Sequence, residues 1–314
     1  MSGYLLNGQW EQGWYDTRNT SGEFVRHESV FRRWVTADGS SGFPAERGRY
    51  HLYVSLACPW AHRTLIMRKL KKLDDVISVS IVDPVMAGHG WAFSDAPGAI
   101  PDTVNNFQYP HQIYTSAAPD YSGRVTVPVL WDKQSRTIVN NESADIIRMF
   151  NSAFAVFTPV TTDYYPDGLR DRIDDVNRFV YDRVNNGVYR AGFAGSQTAY
   201  ERAFDTLFAA LDQLDDKLSQ SRYMTGDTLT EADWRLFTTL VRFDAVYYVH
   251  FKCNLRRIAE YPNLSRLLRE LYCVPGVAET VNMDHIKRHY YLSHRHLNPS
   301  GIVPKGPVLD FREF

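Results

Sequence analysis

Cys58 is followed at once by Pro59, and from Ala61 to Leu73 apolar residues recur at helical spacing. The thiol therefore stands just before or at the first turn of a helix, where unsatisfied N–H groups and the helix dipole favour an anion. Thiolate is the reactive form of cysteine, and helix N-termini promote it. Pro59 suits the first helical position because the donor it lacks would be orphaned there, and Arg63 adds positive potential about one turn further on. The run Cys58-Pro59-Trp60-Ala61 has no second cysteine at the usual two-residue spacing. A mixed disulfide formed at Cys58 therefore needs an external thiol to resolve it.

Other reactive residue types are weaker candidates. His62 lies four residues after Cys58 and shares its helix face, but a Cys–His hydrolase also needs an orienting carboxylate and an oxyanion hole, which the neighbouring sequence does not supply. His285 and His289 have the spacing of a zinc-binding helix, with His294 and His296 beyond. No Glu falls inside that pair and no cysteine is near it, so a helix end rich in Arg and His accounts for it and no metal is expected. Cys253 and Cys273 read as buried small hydrophobes. Thr230 and Asp233 have the spacing of a capping box ahead of Trp234 and Phe237, a structural role.

The elements that must hold Cys58 can be read from period and composition. His51 to Ser55 has the β-branched and aromatic content of a strand that feeds the Cys58-Pro59 helix. Val76 to Val82 is a second strand, Thr126 to Trp131 a third and Thr137 to Asn140 a fourth, turning through Asn141 into a helix from about Ser143 to Phe150. Pro128 cannot donate to a strand ladder. In this order of elements, that of a thioredoxin-like fold, a cis Val127–Pro128 bond facing the cysteine is expected. Pro84 to Gly123 is longer than the single helix such a fold needs and reads as a loop-bearing insertion. Beyond Thr161 the period becomes 3.6, with one stripe along Leu169, Ile173, Val176, Val180 and Val184 and another along Tyr200, Phe204, Leu207, Leu211, Leu214 and Leu218.

These segments give an irregular arm over 1–48, ordered against a neighbouring domain or else disordered, and a thioredoxin-like α/β domain over 49–155. An all-helical domain over 165–296 and a tail over 297–314 complete the chain. With 314 residues and 44% hydrophobic content two cores are expected. The 35 basic and 36 acidic residues nearly cancel, so no net field is available for nucleic acid or an anionic membrane. Three scattered cysteines suit a reducing compartment. With no signal peptide or run long enough to span a bilayer, a cytoplasmic protein is expected. Glutathione is the abundant external thiol there, and a thioredoxin-like domain joined to a helical one is the architecture of glutathione transferases.

The run from Phe43 to Arg63, FPAERGRYHLYVSLACPWAHR, closely resembles the glutathionyl-hydroquinone reductases, the Xi class of glutathione transferases. Matches continue at Asn140 to Asp145 (NNESAD), Asn185 to Phe193 (NNGVYRAGF), Phe251 to Asn254 (FKCN) and His285 to Tyr291 (HIKRHYY), so the resemblance covers nearly the whole chain. It implies reduction of a glutathionyl-hydroquinone by glutathione, yielding hydroquinone and oxidised glutathione through a Cys58–glutathione mixed disulfide. Tyr189, Tyr247 and Tyr290 match the substrate-side tyrosines, with Tyr248 and Tyr291 as adjacent alternatives. Glu142 and Ser143 match the γ-glutamyl site, Val127 the residue that pairs its main chain with the cysteinyl amide, and Trp91 and Arg124 further glutathione contacts. The pattern departs at Tyr248 and Val249, ahead of His250, which bears on the shape of the substrate pocket. A homodimer is expected from the resemblance alone. A glutaredoxin-like deglutathionylase or dehydroascorbate reductase would need the same Cys58 and glutathione site without the tyrosines. An interaction module on the same fold would need neither.

Overall fold

In the computed structural model, which describes residues 3–312, the chain opens on a hairpin of strands β1 (Gly3–Leu6) and β2 (Gln9–Gln12). Asn7 and Gly8 turn it, both at positive φ, 48° and 76°, the geometry that suits an Asn-Gly pair in a two-residue hairpin turn. The expected arm is thus not irregular at its start. Leu5, 1% exposed, inserts into a core with Tyr53, Ile113, Tyr114, Val129 and Trp131.

Five further strands follow: β3 (Tyr50–Val54), β4 (Ser78–Ile81), β5 (Gly123–Arg124), β6 (Val129–Asp132) and β7 (Thr137–Asn140). The hairpin joins β5 in the order β2-β1-β5, while the main sheet runs β4-β3-β6-β7. β3 is parallel to β4 and antiparallel to β6, which is antiparallel to β7. A parallel pair needs a crossover, and helix α1 (Pro59–Leu70) supplies it. Leu52, Tyr53 and Val54 are fully buried, as befits a central strand covered on both faces.

The insertion contains α2 (Pro110–Ala117), and after β7 comes α3 (Ser143–Ser152). Asp102 anchors the insertion to the sheet: its Oδ1 accepts from the Tyr53 hydroxyl at 2.9 Å and the Val104 amide at 3.0 Å, and its Oδ2 from the Phe107 amide at 3.1 Å. Pro128 lies just outside β6, where a missing N–H removes no ladder bond, and the Val127–Pro128 bond is cis as expected.

The helical part comprises α4 (Arg170–Val180), α5 (Gly187–Gly192), α6 (Gln197–Ser219), α7 (Glu231–Arg242), α8 (Tyr248–His250) and α9 (Pro262–Tyr272). Ile173, Val176, Val180 and Val184 are buried, as are Leu207, Leu211, Leu214 and Leu218, whereas Tyr200 and Phe204 are half-exposed. Two π-helical stretches, Tyr181–Asn185 and Phe243–Tyr247, interrupt this regular winding. The capping box forms, with the Thr230 amide donating to Asp233 Oδ2 at 2.9 Å. A last helix, α10 (Met283–Ser293), closes the fold.

By internal contacts the chain forms two compact units that interleave in sequence. The first takes the residues up to Trp14, His27–Thr162 and Glu279–Val303; the second takes Tyr15–Arg26, Asp163–Ala278 and the residues from Pro304 onward. α10, expected within the helical domain, therefore groups with the sheet, and the stretch Tyr15–Arg26 of the arm groups with the helices.

Candidate active site

Cys58 is the N-cap of α1, with extended backbone (φ −76°, ψ 121°) and a carbonyl that accepts from the His62 amide at 3.0 Å. Pro59 takes the first helical position. The thiol is half-exposed, and its Sγ donates to the Val127 carbonyl, the one preceding the cis proline, at 3.5 Å. The sequence separates these two groups by 69 residues; β3 and β6, adjacent in the sheet, bring them together. The other cysteines differ from it and from each other. Cys253 is fully buried, which pushes its thiol far up, away from ionisation. Cys273 is exposed rather than buried as expected.

Glu142 and Ser143 open α3. Glu142 is its N-cap, with Oε1 accepting from the Ala144 amide at 3.0 Å and from the Ser143 hydroxyl at 3.3 Å. Arg63, 1% exposed, donates from Nη1 to Ser143 Oγ at 3.3 Å, and its guanidinium lies 4.5 Å from the centroid of the Trp60 ring. The first turns of α1 and α3 are thereby tied by a buried cation. Helix N-termini offer backbone donors to a carboxylate, and Ser143 adds a hydroxyl beside them.

Trp91, 7% exposed, stacks on His289 at 4.4 Å and 20°. Tyr290 meets the same imidazole edge-on at 5.2 Å and His294 at 5.4 Å. His285, His289 and Ser293 form one ridge of α10 against the insertion. His285 Nε2 lies 2.7 Å from the Pro97 carbonyl and His289 Nδ1 3.0 Å from the Pro84 carbonyl, while the Met86 amide donates to Ser293 Oγ at 3.0 Å. The zinc-like spacing of the two histidines thus serves to pin a loop. Sequence reading missed this because the partners are backbone carbonyls far away in the chain.

Arg124, expected to contact glutathione, also holds the arm: Nη1 donates to the Gly3 and Gly13 carbonyls at 3.2 and 2.8 Å, and Nη2 to the Trp14 carbonyl at 2.9 Å. Tyr189 and Tyr247 lie in the second unit with ring centroids 6.0 Å apart, and both rings pack on Phe251. Of the adjacent alternatives, Tyr248 lies beneath the Arg257 guanidinium at 5.2 Å, and Tyr291 is buried, which pushes its hydroxyl up to about 12. Among the described residues no helix is long and apolar enough to cross a membrane.

Known proteins match the chain both by domain and over nearly its whole length. The family described as "Glutathione S-transferase, N-terminal domain" matches residues 57–153, and "Glutathione S-transferase, C-terminal domain" matches 197–270. A glutathionyl-hydroquinone reductase of Escherichia coli (strain K12) is 57% identical, over 99% of this chain and 97% of its own. The glutathione-bound structure of YqjG, a glutathione transferase homolog from Escherichia coli K-12, superposes with a TM-score of 0.92 at 54% identity, covering 99% and 97% of the two chains. A Xi-class transferase from Natrialba magadii gives a TM-score of 0.93 at 49% identity, covering 99% and 95%.

Proposed function

The chain belongs to the glutathionyl-hydroquinone reductases, the glutathione-dependent Xi class of glutathione transferases, and from that premise we propose a mechanism centred on Cys58. The observation that carries it is a half-exposed thiol at a helix N-cap, opposite a cis-prolyl turn and without a resolving cysteine at the two-residue spacing.

The Cys58 thiolate attacks the glutathione sulfur of the conjugate. The S–S bond of a Cys58–glutathione mixed disulfide forms as the bond from sulfur to the aromatic carbon breaks. The ring reacts as its ketone tautomer, already protonated at the sulfur-bearing carbon. The electron pair of the breaking bond therefore passes through that carbon to the carbonyl oxygen, and the ring leaves as an enolate that takes up a proton to become the hydroquinone. Negative charge gathers on the ring oxygens in this step, so phenolic donors lower its barrier; Tyr189, Tyr247 and Tyr290 take that role. A second glutathione thiolate then attacks the glutathione sulfur of the mixed disulfide, releasing oxidised glutathione and restoring Cys58.

The main chain of Val127 pairs with the cysteinyl amide of glutathione, the α3 N-terminus with Glu142 and Ser143 holds the γ-glutamyl end, and Trp91 lies along the tripeptide. Arg124 makes a further glutathione contact and also orders the arm. The near-cancelling charge and few cysteines support a cytoplasmic setting for a small-molecule enzyme, and we assign it as a homodimer on resemblance.

The test is glutathione-dependent reduction of glutathionyl-menadiol by the wild type and by Cys58→Ala. Loss of turnover to background in the variant is expected. Turnover by the wild type of small mixed disulfides alone would keep the nucleophile and move the substrate to that of a deglutathionylase.

A further inference from the structure

The stretch Tyr15–Arg26 is fixed to the helical unit at several points. The Gly195 amide donates to the Gly22 carbonyl at 2.8 Å, the Ser196 hydroxyl to the Ser21 carbonyl at 3.0 Å, and Arg202 pairs with Glu23. Gly22 has φ +89°, and a Cβ there would lie 2.4 Å from Ser196 Oγ, so only glycine permits the approach. Phe24, 3% exposed, packs edge-on against Phe193 at 5.3 Å and lies 6.4 Å from the ring of Tyr189.

Two residues further on, Arg26 Nε donates to Asn186 Oδ1 at 2.8 Å, and Asn186 directly precedes α5, which carries Tyr189. This bond sets the guanidinium with its Cζ 4.8 Å from the centroid of the Tyr189 ring. Phe24, Phe193, Phe251 and Tyr247 also surround that phenol, and none of those rings carries a charge at neutral pH. A cation over the face of an aromatic ring is attracted by its quadrupole, more strongly as water is excluded. It is attracted more strongly still once the ring oxygen gains negative charge, so it favours the state in which the hydroxyl has given its proton to a partner.

We propose that Arg26 is a positioning residue for the reduction: it locks the ring of Tyr189 and strengthens its hydroxyl as donor to the hydroquinone oxygen that gains charge when the carbon–sulfur bond breaks. The proposal rests on the reading of Tyr189 as a substrate-side donor. It gives the arm a part in the chemistry, although Arg26 lies outside both matched family segments.

The test compares wild type, Arg26→Lys and Arg26→Met, each with Tyr189 intact and as Tyr189→Phe, using protein labelled with carbon-13 at the phenolic carbon of tyrosine. The Tyr189 resonance is identified by its loss in Tyr189→Phe. Its titration midpoint is expected to rise by about half a unit in Arg26→Met and to stay near the wild-type value in Arg26→Lys, which keeps the cation. With glutathionyl-menadiol, kcat is expected to fall about three- to tenfold in Arg26→Met with the KM for glutathione unchanged, and no further loss is expected when Tyr189→Phe is already present. An unmoved midpoint, or an equal loss in both Tyr189 backgrounds, with Tyr189→Phe itself impaired, overturns the proposal alone. Full turnover by Tyr189→Phe overturns the reading of Tyr189, and the proposal with it.

Discussion

A thiol at a helix N-cap needs little from afar to be reactive, which is why Cys58 can be recognised from its neighbours. Pro59, the apolar spacing after it and the missing second cysteine all lie within a few residues. The donors to the leaving hydroquinone are a different matter, because Tyr189, Tyr247 and Tyr290 are three among 19 tyrosines and only resemblance singles them out. Tyr290→Phe removes one hydroxyl while keeping the ring against His289 and His294. If its donor role is right, kcat with glutathionyl-menadiol falls about 10- to 100-fold while glutathione affinity, followed by calorimetry, stays near wild type. Equal loss in both would assign Tyr290 to binding instead. Arg26 and His289 were not legible at this scale. Their partners are a ring and a carbonyl more than a hundred residues away; no local pattern announces Arg26, and the spacing of His285 and His289 suggests zinc, not a pinned loop.

Among the elements, strands and helices with a strong local period were read nearly in place. The strand Thr137–Asn140 coincides with β7, and the helix expected from Ser143 is α3. The strand expected from Thr126 begins only at Val129, because the cis-prolyl turn occupies the residues before it. The hairpin carries a turn signal, Asn7-Gly8 between Leu6 and Gln9, yet does not stand out in the sequence. Its strands are four residues each, too short for alternation to stand out. In the sequence α10 is a helix end rich in Arg and His, but its ridge of His285, His289 and Ser293 acquires meaning only against the insertion. Gly98 reports on that contact: it has φ +83°, and a Cβ would lie 2.7 Å from His285 Nε2. Gly98→Ala is therefore expected to destabilise the protein by about 1–3 kcal/mol. Amide exchange should quicken most in the residues between Pro84 and Tyr109, with the central sheet little affected. Uniform acceleration would show that the insertion unfolds with the sheet and not ahead of it.

At the scale of the molecule, each of the two units buries an ionisable group, and the two groups have opposite pH dependence. In the first, His51 is fully buried with its ring nitrogens 2.7 and 2.9 Å from the Ser78 and Ser80 hydroxyls, and burial lowers it from 6.5 to about 4. Between those values the unfolded chain binds a proton that the folded unit refuses, so stability present above pH 6.5 is lost as pH falls toward 4, by roughly 3 kcal/mol. In the second, burial raises Asp233 from 3.8 to about 6 against the lowering effect of its capping bonds from the Met224 and Thr230 amides. There the folded unit binds the proton first, so stability present below pH 3.8 is lost as pH rises through 6, again by roughly 3 kcal/mol. Acidification from pH 6 to 4 should thus loosen the sheet-bearing unit while the helical unit holds. Amide exchange followed by mass spectrometry at pH 4.5 and 6.5, corrected for intrinsic rates, would show protection falling in β3 and β4 and maintained in α7. His51→Gln, which keeps a donor and an acceptor on the side chain but does not titrate, should remove the loss in the first unit and leave the second unchanged. A parallel loss of protection in both units would mean that they unfold as one cooperative body, with the Asp233 contribution submerged in the transition governed by His51.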